Sequence, residues 1–411
     1  MVLDRVEGRL GEQGVYAESV SVSPRCLTRR SGPQGRWIFR ALTVTATGDG
    51  ASGTQRIKIH LNYPLKLHSK RCTILFGIIS CIDRPLLRFI HRFPSAPSNK
   101  TIHVSASSTS ITMSIPTNLL GRTGLHVTKL GFGAMELRGP RIWAGRQISD
   151  SESESILNAV LDAGITFIDT SNDYGLSEER IGKFLSGRRS EYVLATKCGC
   201  TVVHKDEHTD ETPHVWTAEN LFRGLHESLE RMKTDYIDVM QLHNPDVEQT
   251  LSGKLVEALQ LMKAQGKVRW IGISSTLPHL DTFIGWGVFD TFQIPYSALD
   301  RTHEEAIQRA HDSGAGVIIR GGVSGGKLGT EVAANDQRTL WEKARLDELL
   351  GEGESRTQFL QRFTNTHPGM HTNIVGTKNL AHLLDNVTAA ARGPLSPEIY
   401  AEAKKRLSWV A

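Results

Sequence analysis

The chain has 411 residues, of which 39% are hydrophobic and 22% charged, as is ordinary for a globular protein with room for one large domain or two average ones. The formal net charge of +4 conceals an asymmetry, because residues 1–112 hold 16 Lys and Arg against 6 Asp and Glu, whereas residues 113–411 hold 32 against 38. The second part is therefore mildly acidic, which argues against nucleic-acid binding.

Cysteine content and hydropathy favour a soluble cytoplasmic protein with no membrane partner. Five cysteines in a chain of this length are too few for a disulfide scaffold, which is typical of a reducing compartment. The first residues are polar and acidic and do not resemble a secretory signal. The longest apolar run, near residues 73–82, is too short to span a bilayer.

Residues 1–112 show no sustained helical or strand period and end in a Ser/Thr-rich stretch. We therefore expect a poorly ordered N-terminal extension, with an Arg-rich targeting segment as the alternative. Met113 opens a sequence that is typical of the start of a domain, so the second domain is expected over residues 113–411.

From about residue 120, short β-rich runs alternate with amphipathic helical patterns. The predicted strands are 127–132, 165–169, 192–197, 236–242, 268–273, 289–294, 315–319 and 373–376. The predicted helices are 150–163, 177–187, 217–232, 251–265, 277–285, 303–313, 338–364 with a break at 351–353, and 380–391.

Eight strand–helix units predict an α/β fold with parallel strands, closed into a (β/α)₈ TIM barrel. An open doubly wound sheet is the competing architecture. That sheet needs a phosphate-binding glycine fingerprint after its first strand, but only Gly131-x-Gly133 is present and no helix follows it. The barrel is therefore preferred.

Titratable side chains follow three successive strands, at the end where barrels place their active sites. Asp169 and Tyr174 follow the second predicted strand, Lys197 ends the third, and His243 follows the fourth. An ammonium lowers the pKa of a neighbouring phenol, a carboxylate fixes that ammonium, and an imidazole donates to a substrate oxygen. Singly each residue has a structural explanation, but together they predict proton exchange with a carbonyl.

The sequence resembles the aldo-keto reductase family over residues 116–391. The motifs that carry the resemblance are LGRTGLHVTKLGFGAM, GITFIDTSNDYG, LATK, TDYIDVMQLH, KVRWIGISS, FQIPYSALDR and IVGTKNLAHLLDN, in the family's order. The resemblance implies an NAD(P)(H)-dependent enzyme that reduces aldehydes or ketones, or runs the reverse reaction, by hydride transfer. It assigns the catalytic roles to Asp169, Tyr174, Lys197 and His243.

The resemblance also implies a nicotinamide dinucleotide bound without a Rossmann fold, and NADP(H) is preferred over NAD(H). The implied contacts are Ala134, Met135, Ser274, Ser275, Gln293, Arg320, Gly321, Gly322, Ser324, Gly376, Thr377, Lys378, His382 and Asn386. Arg320 departs from the family pattern, which often has an aromatic residue stacked on the nicotinamide there. A guanidinium can stack in its place or bind a phosphate.

Substrate contacts are expected from Trp143 and Trp216, in the loops after the first and third strands. No metal site is predicted: His204, His208 and His214 fit no structural zinc spacing, and Cys198 and Cys200 are expected to act separately. Two alternatives stay open, namely an aldose dehydrogenase and a dinucleotide-binding redox-sensing subunit without turnover. The partner is a small carbonyl compound or a sugar, and the sequence does not indicate the oligomeric state.

Overall fold

The computed structural model describes residues 114–326 and 335–410, together with four strands nearer the N-terminus. By its internal contacts the chain divides into two compact units, Met1–Thr112 and Met113–Ala411.

The N-terminal unit contains an antiparallel meander that the sequence analysis did not predict. Its strands are Leu3–Leu10 (β1), Val15–Val22 (β2), Leu42–Asp49 (β3) and Thr54–Leu61 (β4), paired in chain order. A strand signal is present in β4, where Ile57, Ile59 and Leu61 alternate with basic residues. The prediction of a poorly ordered extension otherwise lies on residues outside those described.

The second unit is built on a closed barrel of eight parallel strands, which confirms the predicted (β/α)₈ fold. The barrel strands are Leu130–Gly133 (β7), Phe167–Asp169 (β8), Val193–Cys198 (β9), Ile237–His243 (β12), Val268–Ser274 (β13), Thr291–Pro295 (β14), Gly316–Arg320 (β15) and Thr372–Val375 (β16). Two short hairpins lie outside the barrel: Thr117–Leu119 (β5) with His126–Thr128 (β6), and Val203–His204 (β10) with Asp210–Glu211 (β11).

Helices occupy the connections between the barrel strands, so each parallel pairing has its crossover. The α-helices are Asp150–Asp162 (α1), Ser177–Leu185 (α2), Ala218–Met232 (α3), Val247–Ser252 (α4), Leu255–Ala264 (α5), His279–Trp286 (α6), Glu304–Asp312 (α7), Asn335–Lys343 (α8), Arg356–Thr366 (α9), Leu380–Ala391 (α10) and Pro397–Val410 (α11). The expected break near residue 352 is confirmed between α8 and α9. The predicted helix 251–265 is instead two helices, separated at Gly253 and Lys254, and α11 was not predicted.

The first predicted strand, 127–132, is wrong as a single element. Its first half belongs to the β5–β6 hairpin, and its second half is barrel strand β7. The chain changes partners at Lys129, whose N–H donates to the Pro116 carbonyl at 2.8 Å. The hairpin inserts Leu120 into the end of the barrel, and a Cβ on Gly316 would lie 2.7 Å from the Leu120 side chain. That apolar plug closes the end of the barrel opposite the predicted site.

Strand alternation divides the barrel interior into an apolar layer and a polar layer. Seven residues form the apolar layer: Leu120, Leu125, Val127, Phe167, Ala195, Val239 and Ile318. Each of three layer residues is followed two positions later in its strand by a polar residue: Phe167 by Asp169, Ala195 by Lys197, and Ile318 by Arg320. Because side chains two apart in a strand share a face, these polar groups emerge together at the C-terminal mouth of the barrel. Among the described residues, no helix is both long and apolar enough to cross a membrane.

The N-terminal ends of three neighbouring strands are held by one buried carboxylate, that of Asp238. This side chain is 2% exposed. Its oxygens accept hydrogen bonds from Arg189 and Arg269, each at 2.7 Å, and from the Leu194 backbone N–H at 2.9 Å. Asp238 thus joins β9, β12 and β13 and forms ion pairs with two cations at the structural end of the barrel.

Replacing Asp238 with Ala should therefore lower the free energy of unfolding by about 3 kcal/mol, because a buried backbone donor and a guanidinium lose their partner. Urea unfolding measures this change. Asp235→Ala is the matched control, since Asp235 is exposed and should change stability by less than about 0.5 kcal/mol. Equal stabilities of the two variants would contradict this role of Asp238.

Candidate active site

A buried ion pair lies at the mouth of the barrel between the ends of β8 and β9. Lys197 Nζ is 2.7 Å from Asp169 Oδ2, and it also donates to the Thr170 carbonyl at 2.8 Å. The two side chains are 1% and 2% exposed. The other Asp169 oxygen accepts hydrogen bonds from Gln241 at 3.0 Å and Gln293 at 2.7 Å. The carboxylate is thus fixed by groups from three other strands.

Tyr174 reaches this ion pair through a buried polar turn that follows β8. Residues 170–173 are all at most 3% exposed, although every one of them is polar. Gly175 has φ +45°, and a Cβ there would lie 2.4 Å from the Arg138 carbonyl, so the turn requires glycine. The Tyr174 ring lies with its centroid 4.9 Å from Lys197 Nζ. Phenol, ammonium and carboxylate therefore meet as the sequence predicts.

The pKa of the Tyr174 phenol is raised, which makes the expected net lowering wrong. Burial raises it, Lys197 opposes that effect, and the carboxylates Asp169 and Asp173 add to it. Burial also lowers the pKa of Lys197, but its interactions with Asp169 and Tyr174 more than compensate, and the net shift is upward. The site thus combines a protonated phenol with a charged ammonium at neutral pH.

His243 ends β12 and faces the Tyr174 ring, with the two ring centroids 6.1 Å apart. Burial lowers the pKa of His243 to about 3, against an opposing effect of Asp173. The imidazole is therefore neutral at physiological pH and carries a single N–H. Its Nδ1 lies 3.1 Å from Cys200 Sγ and 3.5 Å from Asp173 Oδ2.

The two predicted substrate residues lie on opposite loops at the mouth. Trp143 meets the Tyr174 ring edge-to-face at 5.9 Å and is 49% exposed. Trp216 covers the backbone of Gly199, where a Cβ would lie 1.9 Å from the indole ring. Trp143 is thus in contact with the predicted site, whereas Trp216 packs above the end of β9.

An ion pair that the sequence analysis missed joins those two loops. Arg141 donates to both carboxylate oxygens of Asp210, at 2.7 and 3.0 Å. The hydrogen bond from Arg141 lowers the pKa of Asp210 to about 2. Arg141 also donates to the carbonyls of Asp206 and Glu207. These hydrogen bonds therefore join the loop after β7 to the β10–β11 hairpin along one side of the barrel mouth.

Of the predicted cofactor residues, Gln293 contacts the ion pair directly and Ser274 lies at the end of the adjacent strand β13. The Gln293 amide donates to Asp169, as described above, and Ser274 Oγ donates to Asn244 Oδ1 at 3.2 Å. Asn244 follows His243 in a left-handed conformation with φ 62°, and the sequence analysis missed it. Ser275 is turned away from this group, with its hydroxyl 3.5 Å from the Thr276 carbonyl.

Arg320 ends β15 with a largely buried guanidinium. Burial lowers its pKa, whereas electrostatic interactions with Tyr174, Asp169 and Asp300 raise it, so the cation lies within electrostatic reach of all three. It makes no hydrogen bond or ion pair with the residues that the structure describes. A largely buried guanidinium with no hydrogen-bond partner among the described residues, at the same end of the barrel as Ser274 and Gln293, fits a bound phosphate or an electron-rich ring system.

The remaining predicted cofactor residues extend along the mouth from β15 to α10. Gly321 is left-handed with φ +75°, and a Cβ on Gly322 would lie 2.4 Å from the Asn373 side chain. Ser324 Oγ donates to Ser297 Oγ at 3.1 Å. At the end of β16, a Cβ on Gly376 would lie 2.7 Å from the Gly133 carbonyl. Of the adjoining residues, Ala134 is buried and Met135 is 39% exposed.

Polar side chains precede and line the first turns of α10. Thr377 Oγ1 accepts from the Asn379 N–H at 3.0 Å, and Lys378 Nζ donates to the Gln147 carbonyl at 2.6 Å. His382 is exposed and Asn386 is 6% exposed, one turn apart on α10. Because the N-terminus of a helix attracts anions, this group fits a phosphate.

The model of the aldo/keto reductase family matches residues 129–407 of the chain. Two relatives have similar sequences over the same part. The uncharacterized oxidoreductase YrpG of Bacillus subtilis is 31% identical over 310 residues, which cover 66% of this chain and 89% of the relative. The L-galactose dehydrogenase of Arabidopsis thaliana is 30% identical over 295 residues, covering 66% of this chain and 86% of the relative.

Solved structures match the barrel as well. The holo form of the aldo-keto reductase AKR11C1 from Bacillus halodurans superposes with a TM-score of 0.62 at 27% identity, covering 72% of this chain and 97% of that chain. The glycerol dehydrogenase AKR11B4 from Gluconobacter oxydans has a TM-score of 0.61 at 22% identity, over 73% and 97% of the two chains, and shares the fold.

Proposed function

The chain belongs to the aldo/keto reductase family, and we propose that it reduces aldehyde or ketone carbonyls to alcohols with NADP(H), using Tyr174 as the general acid. The observation that carries the proposal is the buried group at the mouth, in which the Lys197–Asp169 pair of 2.7 Å lies beneath the Tyr174 ring. When bound, the reduced nicotinamide supplies the hydride.

The residues of this chain supply the proton and the orientation. Tyr174 gives its hydroxyl proton to the carbonyl oxygen as that oxygen gains negative charge. Lys197 stabilises the phenolate that remains, because its ammonium is held beside the ring and the interaction with Asp169 helps to raise its pKa. His243, which is neutral, presents an N–H that orients the same oxygen.

Reduction is proposed as the main direction, since it uses Tyr174 in its protonated form. A general acid must be protonated at the working pH, and a buried phenol with a raised pKa meets that requirement. Oxidation of an alcohol uses the same groups in reverse, with the Tyr174 phenolate as the base. The relative from Arabidopsis thaliana is a sugar dehydrogenase, so aldose oxidation is the second candidate. Comparing the rates of aldehyde reduction and aldose oxidation separates the two.

The preference for NADP(H) rests on the positive charge and N–H groups before α10. Lys378 precedes the cap residue Asn379, whose side chain accepts from the Ala381 N–H at 2.8 Å. Thr377 adds a hydroxyl, and His382 lies one turn further along the helix. We infer that this group binds the phosphate that distinguishes NADP from NAD.

Tyr174→Phe tests the assigned chemistry. The variant should lower kcat for aldehyde reduction by about 10²–10⁴-fold, because it removes the proton donor, while nicotinamide fluorescence on cofactor binding should persist. Tyr192→Phe is the matched control: this tyrosine is buried at the N-terminal end of β9, and its hydroxyl has no hydrogen-bond partner among the described residues. Turnover that survives in Tyr174→Phe would refute the role of the phenol.

Lys378→Ala tests the cofactor preference. Loss of a hydrogen bond to a charged group costs about 1.5–3 kcal/mol, so KM for NADPH should rise roughly 10–100-fold. KM for NADH should change less than about twofold, because NADH lacks the phosphate. Lys405→Ala, at an exposed lysine on α11, serves as the control and should alter neither constant. An equal rise for both cofactors would contradict the assigned contact.

A further inference from the structure

Two cysteines follow each other closely at the end of β9, and the structure separates them. Cys198 is buried in the core, with Sγ 3.5 Å from the Gln241 carbonyl. Cys200 faces the mouth of the barrel, with Sγ 3.1 Å from His243 Nδ1. The expectation that they act separately therefore agrees with their contacts, but Cys200 has a neighbour that the sequence did not indicate.

That neighbour is His214, in the loop that returns from the β10–β11 hairpin. Cys200 and His214 are paired in an antiparallel bridge, so they are directly opposite each other. The His214 ring stacks on Trp216 at 5.1 Å and lies edge-on to the His243 ring at 5.6 Å. The possible ligand atoms of Cys200, His214 and His243 all lie within 4.8 Å of one another.

The backbone around this cluster is firmly held. The Asn220 side chain on α3 donates to the carbonyls of Gly199 at 3.2 Å and Val215 at 2.8 Å, one on each side of the bridge. The Cys200 carbonyl accepts from Asn172 at 3.0 Å. The relative positions of the thiol and the two imidazoles are thus set by the fold, as a metal site requires.

We propose that Cys200, His214 and His243 bind a zinc ion that inhibits the enzyme reversibly. One thiolate and two imidazoles are a ligand set that zinc prefers, at about 2.3 Å for sulfur and about 2.0–2.1 Å for nitrogen. The His214 side chain is exposed, so its ring can rotate towards the other two ligands while its backbone stays in the bridge. On binding, the Cys200 thiol loses its proton to solvent and the metal–sulfur bond forms, without any change in oxidation state.

The fourth position of a tetrahedral site is left for a water molecule. The Asp173 carboxylate, which is 1% exposed, lies beside the cluster with its Oδ2 3.5 Å from His243 Nδ1, but it is not among the atoms that lie within 4.8 Å of one another.

The inhibition follows from His243, which belongs to both groups of residues. A ring held by the metal, together with a divalent charge next to Tyr174, no longer orients a carbonyl for protonation. The inhibition rests on the proposed function, whereas the metal site itself does not.

Cobalt(II) added to the full-length protein tests the site without any turnover. A sulfur ligand gives cobalt a thiolate charge-transfer absorption in the near ultraviolet, and zinc should abolish it by displacement. Cys200→Ser should remove this absorption, and His214→Ala should weaken zinc binding by at least about 100-fold. His208→Ala is the matched control, because this exposed histidine of the same loop lies outside the cluster. The His208→Ala variant should bind cobalt and zinc as the unchanged protein does.

Cys26, Cys72 and Cys81 lie outside the described residues and stay in every variant, so the contribution of Cys200 is the difference in absorption between the unchanged protein and Cys200→Ser, and the absence of any difference would overturn the site. For the regulatory part, zinc should slow aldehyde reduction at least about tenfold, with recovery on chelation, and each variant is compared with its own metal-free rate. Cys200→Ser should lose this response. Cobalt binding through Cys200 without inhibition by zinc would overturn the inhibitory role alone, and an enzyme that reduces no aldehyde would fail the proposed function while leaving the cobalt result intact.

Discussion

The rest of the site depends on the cost of burying one ammonium ion. Lys197 is 1% exposed, and an unpaired charge at that depth is strongly destabilising. Asp169 offsets this cost, and Asp169 is itself held by Gln241 and Gln293, so that the ends of four strands converge on one carboxylate. Since the strand ends must meet for the charge to be tolerated, the closure of the barrel and the assembly of the site are a single requirement.

The buried charges lie at the mouth of the barrel, whereas the apolar packing that stabilises the barrel lies further inside it. Apolar residues such as Phe167 and Val239 fill the interior near the β5–β6 plug, and the polar groups occupy the next inward positions of the same strands. Asp238 holds the strands together at the opposite end. The charged groups at the mouth are thus supported by a packed interior, as is usual in this architecture.

The sequence predicted what depends on periodicity and local order, and it failed where distant segments meet. The order of the strands placed Asp169, Lys197 and His243 at the same end of the barrel, and the predicted helix 217–232 agrees with α3, which Thr217 caps. The Arg141–Asp210 pair and the Cys200–His214 bridge join residues that are distant in the sequence, and no regular sequence spacing predicts such contacts. The direction of the pKa shift of Tyr174 was also not predicted from the sequence. Burial depends on the whole tertiary structure, and here its effect on the pKa outweighs that of the Lys197 charge.

A buried phenol that keeps its proton beside a permanent cation is the central claim of this account. Ultraviolet difference titration of the unchanged protein against Tyr174→Phe isolates the ionisation of this one tyrosine. The account predicts that no phenolate from Tyr174 is seen until the pH exceeds about 10, the ordinary value for tyrosine. A phenolate signal from Tyr174 at neutral pH would contradict it, since the group would then be a base rather than the donor that carbonyl reduction requires.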